Sequence, residues 1–368
     1  MEKKNIAIIV LAVALVASGV GNIILGLGGL QTTPPEINAL RFGTASGPHD
    51  LDPVNSWDSA SNDVIEQVAE GLFSYDYSDL SLPRINKLAE SYYWENTTAL
   101  EIKLREGVLF HDGTDFDADA AKWNFDRLNY LANVTGTRTD TVPEAQIKSL
   151  WILPNGDPII DEVVSDGAYN ITIHLNDVFS PLLDLLCYAN AYMLSPASTP
   201  ATDYLDLTTG DLVGTGPYMY DSYTPNVEVR FSRFETYWQY TASFEKLIFV
   251  IIEDPTARTN AFAAGDIDYI AGCLPSRYDE FDADPDFTVK YFTEETSQAS
   301  LVYQYLGINN NKFNVTWRKA MAYAFNYTYM LDEMLEGTLA TRAFSPISPG
   351  FGPDVYNDSV NFPTYDLA

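Results

Sequence analysis

Cysteine, histidine and basic residues are all scarce in this chain. Its 368 residues hold two cysteines, Cys187 and Cys273. That excludes a disulfide framework, although the two can pair if the fold brings them together. The three histidines, His49, His111 and His174, lie far apart, and neither CxxC nor HExxH occurs, so no zinc site is legible. Lys and Arg number 21 against 51 Asp and Glu, a formal charge of −30. This balance argues against nucleic acid or anionic lipid as a partner. A GxSxG elbow and a phosphate loop are also missing. A secreted hydrolase working through a carboxylate pair stays open, because such a pair is defined by geometry and not by spacing.

What is present is a large apolar inventory. Hydrophobic residues make up 46% and aromatics 13% of the chain, the composition of a folded protein. Its length suits more than one lobe. MEKK opens the chain, followed by an uncharged run over residues 5–30 and a polar, proline-bearing linker over 31–38. As a helix the run would extend about 39 Å at 1.5 Å per residue, enough to cross a hydrocarbon core of about 30 Å. Cleaved signals have a shorter apolar core, so the run is read as an uncleaved anchor, with a cleaved signal as the alternative. Lys3 and Lys4 stay inside and the remainder goes out. Six Asn-x-Ser/Thr triplets, beginning at Asn96, Asn133, Asn170, Asn314, Asn326 and Asn357, agree with an exported, glycosylated protein.

The densest cluster of chemistry is LREGVLFHDGTDFDADAAKWNFDRL, from Leu104. Asp115, Asp117 and Asp119 alternate like calcium ligands. The template then requires glycine and a bidentate glutamate, where this chain has Ala120 and Asp126. The pattern predicts scaffold instead. Leu100, Ile102 and Leu104 form one face of a strand. His111-Asp112-Gly113-Thr114 is a turn, and Asp117 caps a helix with Ala121, Phe125 and Leu128 on one face.

Further strands are expected at 39–45, at 169–175, around Val227, Val229 and Phe231, at the apolar run KLIFVII over 246–252, and at 287–292 and 301–308. Helices are expected from Asn62 or Asp63, from Ser180-Pro181, through 259–264 to a cap at Gly265, and from Val315 to Glu336. The chain reads as mixed α/β.

These segments, in this order, resemble the extracellular solute-binding proteins of family 5, the dipeptide-, oligopeptide- and nickel-binding components of ABC importers. The resemblance is carried by SGPHDLDP at 46–53, VAEGLFSYD at 68–76 and the HDGT stretch at 104–127. It continues through GTGPYMY at 214–220, FETYW at 234–238, AFAAGDID at 261–268 and INNNKFNVTWRKAMAYAFNY at 308–327. It implies a two-lobed periplasmic-binding-protein-like fold of type II. Lobe 1 would cover 39–270, with an inserted subdomain over about 72–172, and 271–368 would be part of lobe 2. Family members typically continue well past this point, so the second lobe is read as incomplete and the chain as C-terminally truncated. The implied function is capture of a small solute, a di- or oligopeptide first and an oligosaccharide or nickel as alternatives. Delivery would be to an ABC permease by a monomer, with no catalysis, cofactor or resident metal.

A cleft binder needs aromatic walls and a few convergent polar groups. The candidates are Ser46 and Gly47, whose backbone can approach a ligand, and Trp57, a pocket or a core tryptophan. Tyr188 and Asn190 follow, both at family pocket positions. Arg138 is placed to meet an anion or to sit solvated on the surface. Tyr303 and Tyr305 fall near the expected lobe crossing.

Overall fold

The computed structural model describes residues 23–26, 38–79, 82–208, 210–290, 305–334 and 342–343. The chain divides into two compact units. The first holds Met1–Ser18 and Gly28–Ile270, the second Gly19–Leu27 and Ala271–Ala368.

Strand β1 (Ile23–Gly26) belongs to the second unit, and β2 (Ala39–Thr44) opens the described part of the first. The small strands β3 (Phe73–Tyr75) and β4 (Arg84–Asn86) pair antiparallel. Next come β5 (Ala89–Asn96), β6 (Ala99–Leu104), β7 (Ile160–Ser165) and β8 (Asn170–Leu175), an antiparallel sheet of order β5-β6-β8-β7. The last strands of this unit are β9 (Tyr218–Thr224), β10 (Glu228–Arg233), β11 (Lys246–Ile251) and β12 (Tyr269–Ala271). They join β2 in the order β12-β2-β11-β10-β9, with β2 parallel to both β11 and β12.

The alternation in the sequence becomes the face of the four-stranded sheet. Leu100, Ile102, Leu104, Ile171 and Ile173 are fully buried. Against them, within one hydrophobic core, packs the helix Ala118–Leu131, contributing Ala121, Phe125 and Leu128. Asp117 caps that helix, accepting from the Ala120 N–H at 2.9 Å, and Gly113 takes φ +83° in the preceding turn. KLIFVII is the central strand β11, with Leu247, Ile248 and Phe249 all buried. Such continuous burial follows from being covered on both faces.

Several boundaries differ from expectation. The first helix runs Ser59–Val68, one turn earlier than predicted, because Asp58 caps it by accepting from Ser61 N–H. Ser180 does not cap. The helix Leu182–Leu185 has Pro181 at its N-cap position and no side-chain cap. The helix ending at Gly265 (φ +79°) begins at Pro255 behind an Asp254 cap. In the second unit, β13 (Phe287–Lys290) pairs antiparallel with β1, and 291–304 lie outside the described residues. Residues 305–308 are not a strand. The predicted helix over 315–336 stops at Ala324, because Phe325 is extended and Asn326 caps a new turn by accepting from Tyr329 N–H.

Of the apolar run 5–30, residues 23–26 are therefore strand rather than helix, satisfied by hydrogen bonding to β13. The rest lies outside the described residues. Among the described residues no helix is long and apolar enough to cross a membrane. Cys187 and Cys273 are both buried thiols, with no disulfide between them.

Candidate functional site

The loop that follows β2 leaves the carboxyl end of a strand flanked by parallel neighbours, where open α/β sheets place ligands. Its conformation is fixed by polar contacts from below. Ser61 Oγ accepts the N–H groups of His49 and Asp50 at 2.9 and 3.0 Å, and donates to Asp58 at 2.6 Å. Asp50 in turn accepts from the Asp52 N–H at 2.8 Å. Burial raises the Asp50 carboxyl above the usual range, against the hydrogen bonds from Asp52 and Asn55 that lower it.

Deeper still, the wholly buried Asp52 meets Arg127 in a two-pronged ion pair, one prong at 3.0 Å. The remaining donors are matched: Arg127 donates to the carbonyls of Pro200 and Asp203, and Asp52 accepts from the Val54 and Leu205 N–H groups. A buried pair holds position only when its other lone pairs and protons are satisfied in this way.

Asn190 completes the clamp. It is 1% exposed, and its Nδ2 donates to the carbonyls of Pro53 and Ser56 at 2.6 and 2.9 Å. Its Nδ2 therefore fixes the loop, while its Oδ1 has no hydrogen-bond partner. The same interaction joins the 188–190 segment to the Trp57 loop. Trp57 is 51% and Tyr188 36% exposed, so neither is a core residue of this unit. Tyr188 Oη lies 3.5 Å from Asn62 Nδ2, at the start of the first helix. Ser46 is exposed. Gly47 has a packing reason, since a Cβ there would lie 2.7 Å from Tyr223 Oη and 2.8 Å from Ile251 Cδ1. Its missing side chain admits Tyr223 of β9 and Ile251 of β11.

Arg138 is neither a free anion receptor nor a solvated surface group. Its guanidinium donates to the carbonyls of Tyr130, Leu131, Val142 and Pro143 and pairs with Asp140 at 3.1 Å. With its donors engaged inside its own loop, it is structural. Tyr303 lies outside the described residues, and Tyr305 is 76% exposed in the second unit.

The sequence reading missed Glu70. This carboxylate is 4% exposed, accepts from Tyr237 Oη at 2.6 Å, Thr215 Oγ1 at 2.8 Å and Trp238 Nε1 at 2.9 Å, and pairs with Lys87 at 3.0 Å. It ties VAEGLF, GTGPY and FETYW together. The signal was a lone charge within an apolar run, which is costly unless paired. GTGPY also needs its glycines, because a Cβ on Gly214 would sit 2.2 Å from Val68 O.

The HDGT turn has internal duties as well. His111 Nε2 contacts Gly216 O at 2.9 Å, and Asp112 accepts from Ser195 at 2.5 Å and Ser198 at 2.7 Å. Burial opposes ionisation of Asp112, but the hydrogen bonds from Ser195, Thr114 and Ser198 hold it down at about 2. Burial likewise keeps His111 below its ordinary value. The Asp112 bonds tie the turn to the 195–198 segment.

A sheet with parallel strands, carrying a clamped loop with exposed aromatics at their carboxyl ends, has the layout of a ligand-receiving α/β lobe. Comparison with known proteins makes this specific. Residues 85–368 match the sequence model of the bacterial extracellular solute-binding proteins, family 5 Middle. The chain belongs to this family.

Among curated relatives, Glutathione-binding protein GsiB of Pectobacterium atrosepticum is 32% identical over 190 residues, 51% of this chain and 33% of the relative. The Escherichia coli protein of the same name is 32% identical over 191 residues, with the same coverage. The matched stretch thus spans about a third of these relatives. Among solved structures, a dipeptide binding protein from Pseudoalteromonas in complex with Met-Leu superposes with a TM-score of 0.75 at 21% identity, over 89% of this chain and 64% of that one. DppA from Helicobacter pylori, in complex with the peptide STSA, gives 0.72 at 20%, over 89% and 64%. NikA from Staphylococcus aureus, in complex with Ni(L-His)2, gives 0.68 at 17%, over 89% and 62%. The periplasmic-binding-protein fold is shared.

Proposed function

We propose that this chain is part of an exported solute receptor of an ABC importer, which captures a di- or oligopeptide and hands it to the permease without chemical change. The observation that carries the reading is the half-exposed Trp57, presented on a loop held by Ser61, Arg127 and Asn190 at the carboxyl end of β2. Rigid presentation of an aromatic surface suits binding, because little ordering is left to be done when the ligand arrives. The family membership and the peptide complexes among structural relatives support the ligand class. The receptor acts as a monomer, and its charge of −30 keeps nucleic acid away. Ser46 and Tyr188 are the further surface contacts offered by this unit. The apolar segment ahead of β1 directs export and keeps the protein on the outer side of the membrane.

Titration of the full-length protein with di- to hexapeptides, glutathione, cello-oligosaccharides and nickel, followed by tryptophan fluorescence, tests this. Saturable binding of peptide is expected. Trp57→Ala should weaken it by roughly 30-fold, since a buried aromatic anchor contributes on the order of 2 kcal/mol. Saturation by nickel or sugar alone would reassign the ligand. Turnover of a polymer without saturable solute binding would refute the receptor reading.

A further inference from the structure

Six Asn-x-Ser/Thr triplets run through the chain, and the fold treats them unequally. Asn133 has its Nδ2 bonded to Glu144 at 2.7 Å and its Oδ1 to the Arg138 N–H at 3.1 Å. Asn170 begins β8, an inner strand of the four-stranded sheet. Asn314 and Asn326 are helix caps whose Oδ1 accepts helix N–H groups, so their triplets enter helix at once. Asn357 lies outside the described residues.

Asn96 differs from the four described ones. It pairs with Ala99 across the two-residue turn Thr97-Thr98 that joins β5 to β6. Asn96, Thr97 and the preceding strand from Glu90 onward are exposed. Asn96 Oδ1 accepts both the backbone N–H and the hydroxyl of Thr98, at 2.9 and 3.1 Å. The backbone donor identifies this atom as oxygen, which leaves Nδ2 as the atom with no hydrogen bond. The triplet's hydroxyl is thus already drawn to the amide it must accompany, in a turn that a transferase can approach.

The same strand offers a seat for a sugar. A bulge at Glu95 makes Tyr93 oppose Glu101 while Asn96 opposes Ala99. Ala99 and Glu101 alternate on β6 and so share a face. Tyr93 therefore lies on the face of Asn96, and it is 54% exposed.

We propose that Asn96 is an N-glycosylation site, with Tyr93 as a surface on which the apolar face of the first sugar rests. In the transfer, a bond forms between Asn96 Nδ2 and C1 of a sugar carried on a polyprenyl phosphate or diphosphate. The bond from C1 to the phosphate oxygen breaks, and the phosphate leaves with that electron pair. The proton lost from Nδ2 goes to a base of the membrane transferase. No oxidation or reduction occurs. The site rests on the export reading above, because donor and transferase work on the outer side of the membrane.

The test is mass spectrometry of tryptic peptides from full-length protein of its native cells, after fractionation. The peptide 88–103, LAESYYWENTTALEIK, carries this triplet alone. It should bear a glycan mass on Asn96 at more than tenfold the occupancy found on Asn133 or Asn170. Asn96→Gln and Thr98→Ala should abolish the modification, and Thr98→Ser should retain it. Tyr93→Ala should leave it in place while increasing glycan mobility in NMR spectra. Exported protein with this peptide bare overturns the modification alone. Protein confined to the cytosol overturns both this inference and the export reading.

Discussion

Replacing Glu70 by leucine keeps the volume and removes the acceptor at which four donors converge. Tyr237, Trp238 and Thr215 each lose a hydrogen bond of 2.6–2.9 Å, and Lys87 loses its 3.0 Å partner. Breaking a buried pair from one side costs about 3–5 kcal/mol, more than a surface bridge would suggest, because the Thr215 and Trp238 donors are left unpaired while Tyr237 keeps Gln239 at 3.0 Å. Lys87 moderates this, since it is 21% exposed and keeps Gln239 at 2.8 Å. For a unit of this size, each kcal/mol lowers Tm by about 2–4 °C, so a fall of about 6–20 °C is expected.

Thermal melts followed by circular dichroism give the shift, and urea titration gives the free energy. The double variant Glu70→Leu with Lys87→Met should be less destabilised than Glu70→Leu alone by about 1 kcal/mol, because it no longer strands the lysine. A loss under about 1 kcal/mol for Glu70→Leu, or simple additivity in the double variant, would refute the hub.

Two further outcomes follow from the same unit. Gly214→Ala places a Cβ 2.2 Å from Val68 O and should cost about 3 kcal/mol or more in urea titration. Gly113→Ala meets open space and only a φ of +83°, so it should cost about 1 kcal/mol; equal costs would discount the contact. Glu66 is partly buried as a residue, but its carboxyl is desolvated, and burial, with Asp63 adding, pushes it up to about 8 from 4.5. The folded form therefore holds the proton more tightly. Stability contributed below pH 4.5 is lost as pH rises towards 8, and Glu66→Gln should flatten that decline. A parallel decline in the variant would place its origin elsewhere.

Period and capping chemistry were legible from local residues alone. The Leu100-Ile102-Leu104 strand, the Asp117 cap, the Gly113 turn and the Gly265 helix stop are all set by neighbours a few positions away. The HDGT stretch was legible as scaffold for the same reason. The start of the first helix was read too late, at Asn62 or Asp63. Asp58 caps it instead, accepting from both the N–H and the hydroxyl of Ser61, whose Oγ in turn holds the 49–50 backbone.

What side chains do at long range was not legible. Asn190 looks like a ligand contact in sequence, yet its Nδ2 is taken up by the carbonyls of Pro53 and Ser56, which only the folded chain brings near. Glu70 looks like a stray charge, and its partners lie 145 and 167 positions away. The alternation and capping of the chain determined by themselves that this is an α/β protein, and its motifs in order pointed to the family. Tertiary structure alone decided which polar groups are buried and matched, and which aromatics remain exposed. A hydrogen bond depends on distance in space, and sequence separation carries almost none of that information.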